Sequence, residues 1–469
     1  MILTNKKEYS KGDVRYYVSF FFDLFLMACI FAEITCYSPF VSDMQYYNGQ
    51  GGAGYWLTPF LKTALLLPGS VLATLYILIF RSNRIRLLMI IKKNLPLFLL
   101  ILLAGVSLVY CDYKRASFDK FLYFYQNSVI LFALIIKDNS YAKTINKIIY
   151  LFSTAILLSY VELILFPMSA MHEYSYGVRL ADELLSNWKG IFYHKNAAGG
   201  IFGFFALILI GKVNSSSKFL SLSNLLYLAL LFLTVVFLWF SFAKGSMGAL
   251  IITLVIVAIL KSLLSLSKNS IYRYFLATVL CTLLLTFNAI ATYYLAPTYN
   301  VNFTHRTDIW SLNFDYWMVS TRTEFFGHGF GSVYVSDFEG ISKFRAGWEA
   351  LIGSAHSGYV TILGELGLFG MALWALCIIQ TIYNSFKFMQ RDLKFEAWAI
   401  SACLYFGLIR ALTEPDIMSY TRPNWPILLI LIVLVNTYGN LKFLKSNKVT
   451  TSDIQVDSIS APSSAITVR

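Results

Sequence analysis

An all-α, polytopic membrane bundle is the fold class this chain predicts, on three observations. Of its 469 residues, 57% are hydrophobic and only 13% charged, whereas a soluble domain carries about a quarter charged residues. Apolar runs near the length of a bilayer crossing recur along the chain. Basic residues gather in alternate short connections, as cytoplasmic loops do.

The first run follows the basic stretch NKKEYSKGDVR, lacks a small-residue cleavage site and precedes further runs. It therefore reads as a retained helix and not a signal peptide. Apolar segments follow at 18–39, 57–80, 95–110, 120–136, 147–167, 197–212, 224–241, 246–264, 273–295, 358–386, 396–413 and 424–440. About twelve helices are expected, each near the length that crosses roughly 30 Å of hydrocarbon.

With a cytoplasmic N-terminus, the even connections RSNRIRLLMIIKKN, KDNSYAKTINK, KVNSSSK, KSLLSLSKNSIYR and KFMQRDLK, together with the two tails, hold most of the 38 Lys and Arg. Both termini are expected inside. The same distribution accounts for the net charge of +13 without invoking nucleic acid. The six cysteines lie in or beside apolar runs and form no CxxC pair, so neither a disulfide frame nor a thiolate metal site is indicated. Residues 1–449 are expected to form one transmembrane domain, and the polar, Ser-rich stretch 450–469 a disordered cytoplasmic tail.

The outer side carries two long connections, 167–196 and 297–356. Connections of that length are usually functional. Within the second, TDIWSLNFDYWMVS spaces Ile309, Trp310, Leu312, Phe314, Trp317 and Met318 in a broadly helical pattern. Such a helix suits either the headgroup plane or packing against the ends of the bundle.

Charges inside spans are costly and mark function by default. Glu33, Lys62, Glu162, Glu365 and Arg410 fall toward the outer helix ends, and His194, Lys195, Lys244, Arg306 and His356 at outer mouths or loops. Asp23 alone falls near an inner end. A proton or ion pathway would spread charge through the whole depth, so the skew points to a polar chamber open to the extracytoplasmic side. Several cations with few nearby carboxylates suit an anion there. Lys244, in SFAKGSMGAL, sits on a short turn opening a helix, where free N–H groups and a full charge favour phosphate, or else simply reaches water from the turn. Arg306, in HRTDIW, offers phosphate a bidentate fork, or else pairs with Asp308. His356, just before the apolar segment of GSAHSGYVTILGELGLFG, meets the positive end of a helix dipole. That keeps its ring neutral and suits a general base for a hydroxyl, with Glu365 below to orient it; the alternative is a capping histidine that hydrogen-bonds the loop. The turn GHGFG, residues 327–331, has no strand–helix context for a dinucleotide site and reads as a flexible turn or backbone nest, with His328 a loop residue. No HExxH or other metal-ligand spacing occurs, and neither metal nor cofactor is expected.

Taken in order, GIFYHKNAAGG, SFAKGSMGAL, RTDIW, GHGFGSV and AHSGYVTILGELGLFG resemble the motifs of the O-antigen ligase and polymerase superfamily, which includes bacterial exopolysaccharide polymerases. The resemblance covers about residues 190–440. It implies a GT-C-like, metal-independent membrane glycosyltransferase in the bacterial inner membrane, with a periplasmic active site and a glycan donor on undecaprenyl diphosphate. The implied partners are that donor, a glycan or lipid acceptor and membrane lipids, with a polysaccharide chain-length regulator as a further candidate. By position, Lys244 and Arg306 correspond to the residues that hold the diphosphate, and His356 to the histidine that activates the acceptor hydroxyl. His194 and Lys195, Arg410 and Arg422 are lower-ranking substrate-binding candidates. Two positions depart from the family pattern. Lys244 stands where ligases often have Arg, and Ser357 where Asn commonly follows the histidine. FYHKN and AHSGYV favour a polymerase over a lipid A–core ligase. A lipid-linked glycan transporter is the alternative of a different class, although the halves of the chain show no convincing repeat.

Overall fold

The computed structural model describes residues 14–35, 53–171, 187–215, 221–266, 269–299, 306–334, 354–391, 395–419 and 423–439. Arg422 and the expected tail 450–469 lie outside the described residues, as does the side chain of Lys62. Among the described residues the regular structure is helical, apart from one isolated antiparallel bridge between Met171 and Trp188. The helices are α1 (Val14–Thr35), α2 (Ala53–Ile79), α3 (Arg81–Lys93), α4 (Leu95–Val106), α5 (Lys114–Asp138), α6 (Tyr141–Leu165), α7 (Lys195–Ser215), α8 (Leu222–Ser241), α9 (Lys244–Leu266), α10 (Ser270–Ile290), α11 (Arg306–Trp317), α12 (Thr321–Phe326), α13 (Gly358–Arg391), α14 (Phe395–Arg410) and α15 (Asn424–Tyr438).

Each of the twelve apolar segments contains or overlaps a helix. Among the described residues seven helices are long and apolar enough to cross a membrane, or up to eight if the bent pair α2–α3 is one span. The difference from twelve has local causes. Between α2 and α3 the chain bends by 100°, and α4 and α15 are shorter than a full crossing. Charged residues lower the apolar content of α5 and of α14, which is also only 16 residues long.

Composition around each helix decides its place. α7 and α15 are apolar on all sides, and such helices belong inside a bundle. In α7, 78% of the apolar stretch is buried, against 22% in α9, and in α15 residues 424–436 are buried without exception. α7, α14 and α15 thus form the centre, with α8, α9 and α10 presenting apolar flanks outward. Small residues let the central helices meet closely. A Cβ at Gly199 would lie 2.4 Å from the Ala243 Cβ, and one at Gly200 would lie 2.4 Å from the Asn424 side-chain oxygen.

At one end of the bundle Asp23 joins three helices. It accepts from Lys137 at 2.7 Å and from Lys147 at 2.8 Å, and Lys147 also pairs with Asp138. The opposite end contains the other features of interest. There α11 packs on the bundle, the second of the two arrangements its sequence allows. Trp310 is fully buried, and its indole N–H donates to the Ala355 carbonyl at 2.9 Å.

α13 is interrupted at Gly367 (φ 63°, ψ −161°), a conformation essentially restricted to glycine. The break strands carbonyls that an unbroken helix would satisfy, and the 327–331 turn supplies the missing donors. His328 N–H donates to the Gly364 carbonyl at 3.0 Å, and Gly329 N–H to the Glu365 carbonyl at 2.9 Å. The expectation of a flexible turn is therefore corrected. The turn is a buried cap, and His328 stacks on Tyr316 at 3.9 Å while its Nδ1 lies 2.7 Å from Asp112 Oδ2. Burial pushes the Tyr316 hydroxyl pKa up, with the Asp112 carboxylate adding to the effect.

Gly367→Ala is expected to destabilise the protein by at least about 1–3 kcal/mol from backbone strain alone. Its Cβ would also meet the Phe325 backbone at 2.5 Å. Gly248→Ala, on α9, adds a Cβ with nothing within 4 Å and should be neutral or slightly stabilising. Thermal melts in detergent check both; equal melting temperatures would remove the structural role assigned to the break.

Candidate functional site

The starts of α7, α9, α13 and α15 and the end of α14 meet at the end that carries α11. Four helix N-termini bring the partial positive charge of their dipoles to one place. The sequence adds full charges there.

Arg410 closes α14. It is 1% exposed, and its guanidinium is engaged on three sides. Nε donates to Ser246 Oγ on α9 at 2.9 Å, Nη2 to the Asn196 carbonyl on α7 at 2.6 Å, and Nη1 to Asp416 Oδ2. Asp416 also accepts from Asn424 Nδ2 on α15 at 3.2 Å. Burial pushes the Asp416 carboxyl pKa up, while the Arg410 guanidinium pulls it back.

Arg306 opens α11. Its Nη2 donates to Glu414 Oε1 at 2.9 Å, and Asn196 Nδ2 donates to the same oxygen at 3.0 Å. Of the two partners foreseen for Arg306, anion or Asp308, neither anticipates this carboxylate from a distant segment. A Cβ at Gly245 would lie 4.0 Å from that oxygen, which places the start of α9 beside it. Lys244, the first residue of α9, is exposed. The turn before it passes through Phe242 in the left-handed region (φ 48°), and the Lys244 N–H closes it on the Phe242 carbonyl at 2.8 Å.

His194 caps α7. Its carbonyl accepts from Ala197 N–H at 3.0 Å, and its ring Nδ1 accepts from Asn196 N–H at 3.0 Å. Lys195 Nζ donates to Asn187 Oδ1 at 2.5 Å.

His356 is half-buried and adopts φ 49°, an uncommon backbone state for a side-chain-bearing residue. Its neighbours are held from several directions. Ala355 accepts from Trp310, Ser357 Oγ donates to Asn288 Oδ1 at 3.0 Å, and Gly358 N–H donates to the Ala411 carbonyl at 2.8 Å and the Glu414 carbonyl at 3.0 Å. Asn288 also donates through Nδ2 to the Leu412 carbonyl at 2.9 Å. The histidine arm is thus tied to the same 411–416 segment that holds both arginines.

Lys244, Arg306, His194, Arg410 and the His356 arm are brought together, and Lys195 lies next to them on α7. Glu365 belongs to another cluster. It is buried beside Lys120 and bonded to the Gly331 backbone. The helix holding Glu365 begins only at Gly358, after His356, and rises about 10 Å along its axis before Glu365. The expected support of His356 by Glu365 is replaced by the contacts from Trp310, Asn288 and the 411–416 segment. Glu33 lines a separate small cavity with Asn127 and Leu66.

The expectation of few carboxylates near the cations is also corrected. Glu414 and Asp416, in LTEPDIM, were missed, although the signal was available. An arginine deep in an apolar bundle needs an anion, and two carboxylates follow Arg410 by four and six residues. Among the described residues no group of three or more His, Cys, Asp or Glu is placed to hold a metal ion.

Asp416→Ala is expected to strand Arg410 at a cost of about 3–5 kcal/mol, read as a large fall in melting temperature or a loss of folded yield. Asp416→Asn, which keeps an acceptor, should lose less; unchanged melting in both would show that the pair does not hold the helix ends together.

No protein-family model matches this chain, and no curated protein is significantly similar to it.

Proposed function

We propose that this protein is an inner-membrane glycosyltransferase that moves a glycan from a polyprenyl diphosphate to an acceptor hydroxyl at the periplasmic face, extending a surface polysaccharide. In this proposal all twelve segments cross the membrane or dip into it in a GT-C-like arrangement, both termini are cytoplasmic, and the arginine end of the bundle is outermost. One observation carries the proposal: Arg306 of RTDIW and the AHSGYV arm that bears His356, distant in the chain, both bond the segment around Glu414, and the start of the helix opened by Lys244 lies beside that carboxylate.

The chemistry follows from that arrangement. The acceptor oxygen attacks the anomeric carbon as the bond from that carbon to the diphosphate oxygen breaks, with inversion. The His356 ring takes the hydroxyl proton. Arg306 and Lys244 stabilise the negative charge growing on the leaving diphosphate, the electrostatic help that dominates many active sites. The left-handed backbone at His356 is the kind of strain retained where a side chain must be aimed. Arg410 acts through Asn196 and Ser246, as a positioning residue.

His356→Ala is expected to lower turnover by about 10²–10⁴-fold, the usual share of a general base, while leaving donor binding largely intact. Lys244→Ala and Arg306→Ala should each weaken donor binding by about tenfold or more, in line with loss of a charge-assisted bond, and slow turnover as well. Purified protein given only lipid-linked repeat units supplies the assay. Lengthening of chains on the carrier supports a polymerase, and transfer only after adding lipid A–core indicates a ligase. Counterflow of labelled lipid-linked glycan without a new glycosidic bond would make the protein a transporter. Normal glycan production by His356→Ala would remove the histidine from the mechanism.

A further inference from the structure

Two ion pairs lie side by side at the site, and they differ in a way that suggests different tasks. Arg410 and Asp416 are both sealed, with side chains 1% and 3% exposed. Arg306 is 20% exposed and Glu414 5%, so this second pair stands at the edge of the protein with its guanidinium toward the open side. Glu414 Oε1 accepts from Arg306 and Asn196 together and lies beside the start of α9, where Lys244 is exposed. Its carboxylate therefore occupies the place on the Arg306 guanidinium that an anion would take.

We infer that Glu414 is a built-in stand-in for the donor's diphosphate, competing with it for Arg306. This rests on the transferase function proposed above and assigns a residue that function leaves unused. A cation at the edge of an apolar bundle is stabilised by an internal carboxylate while the site is empty. An arriving diphosphate offers more charge and a bidentate acceptor, and takes over the guanidinium. Asn196 then retains Glu414, whose backbone carbonyl still holds Gly358 and, through it, the segment carrying His356.

A stand-in has a property that a merely structural carboxylate lacks: weakening it strengthens ligand binding. Glu414→Gln keeps an acceptor for Asn196 and removes the charge. With the full chain in lipid nanodiscs and undecaprenyl diphosphate as probe, Glu414→Gln is expected to bind about tenfold more tightly than wild type, within the ordinary range of coupling between sites. The gain should vanish in the Arg306→Ala background, since the double-mutant cycle isolates the pair. Glu414→Asp, which keeps the charge and retracts it by one methylene, should show a smaller gain in the same direction and decides the matter if the Gln variant does not fold. Unchanged or weaker binding by the folded variant, or a gain that persists without Arg306, overturns the inference while leaving the transferase function standing. Wild-type protein that binds no undecaprenyl diphosphate overturns both.

Discussion

An arginine withdrawn from water inside an apolar bundle is the constraint on which the rest of this structure depends. The guanidinium of Arg410, buried this deeply, must find an acceptor on every face. The three acceptors come from different parts of the chain: Ser246 on α9, Asn196 on α7, and Asp416 in the segment after α14. Asp416 is in turn held by Asn424 on α15. One side chain thereby fixes the relative placement of four helix ends. The small residues at Gly199 and Gly200 are what allow those ends to come close enough for the bonds to form.

A second constraint shapes the neighbouring region. Backbone that leaves the helical path inside a membrane bundle must find partners within the protein. The break in α13 at Gly367 meets that requirement by recruiting the 327–331 turn, which is locked in place by His328, Tyr316 and Asp112. Lys120 adds two further bonds, to the carbonyls of Gly331 and Tyr334, at 2.7 and 2.6 Å. The outcome is a rigid support for the first half of α13, whose start carries His356. The GHGFG turn thus relates to the site through the helix it caps, and not through a ligand of its own.

The two constraints together explain how a chain with so few charges makes a concentrated polar site. The starts of α7, α9, α13 and α15 converge where α14, running the opposite way, ends, and the partial positive charge of those starts adds to the cations there. The carboxylates of the 411–416 segment pair with both arginines, one pair sealed and the other partly exposed.

Sequence by itself determined the all-helical membrane character and a helix at every apolar segment, because hydropathy over some twenty residues is a local property. It also singled out Lys244, Arg306, His356, His194 and Arg410, since an ionisable residue in an apolar chain is conspicuous wherever it falls. Tertiary structure alone decided the pairings. That Arg306 meets Glu414 across 108 positions, that Glu365 turns to Lys120 and away from His356, and that Asn288 reaches Ser357 depend on which helices become neighbours. It likewise decided the bend between α2 and α3 and the break at Gly367, where a glycine or an extended residue is compatible with a helix until packing makes the irregular path the better-bonded one.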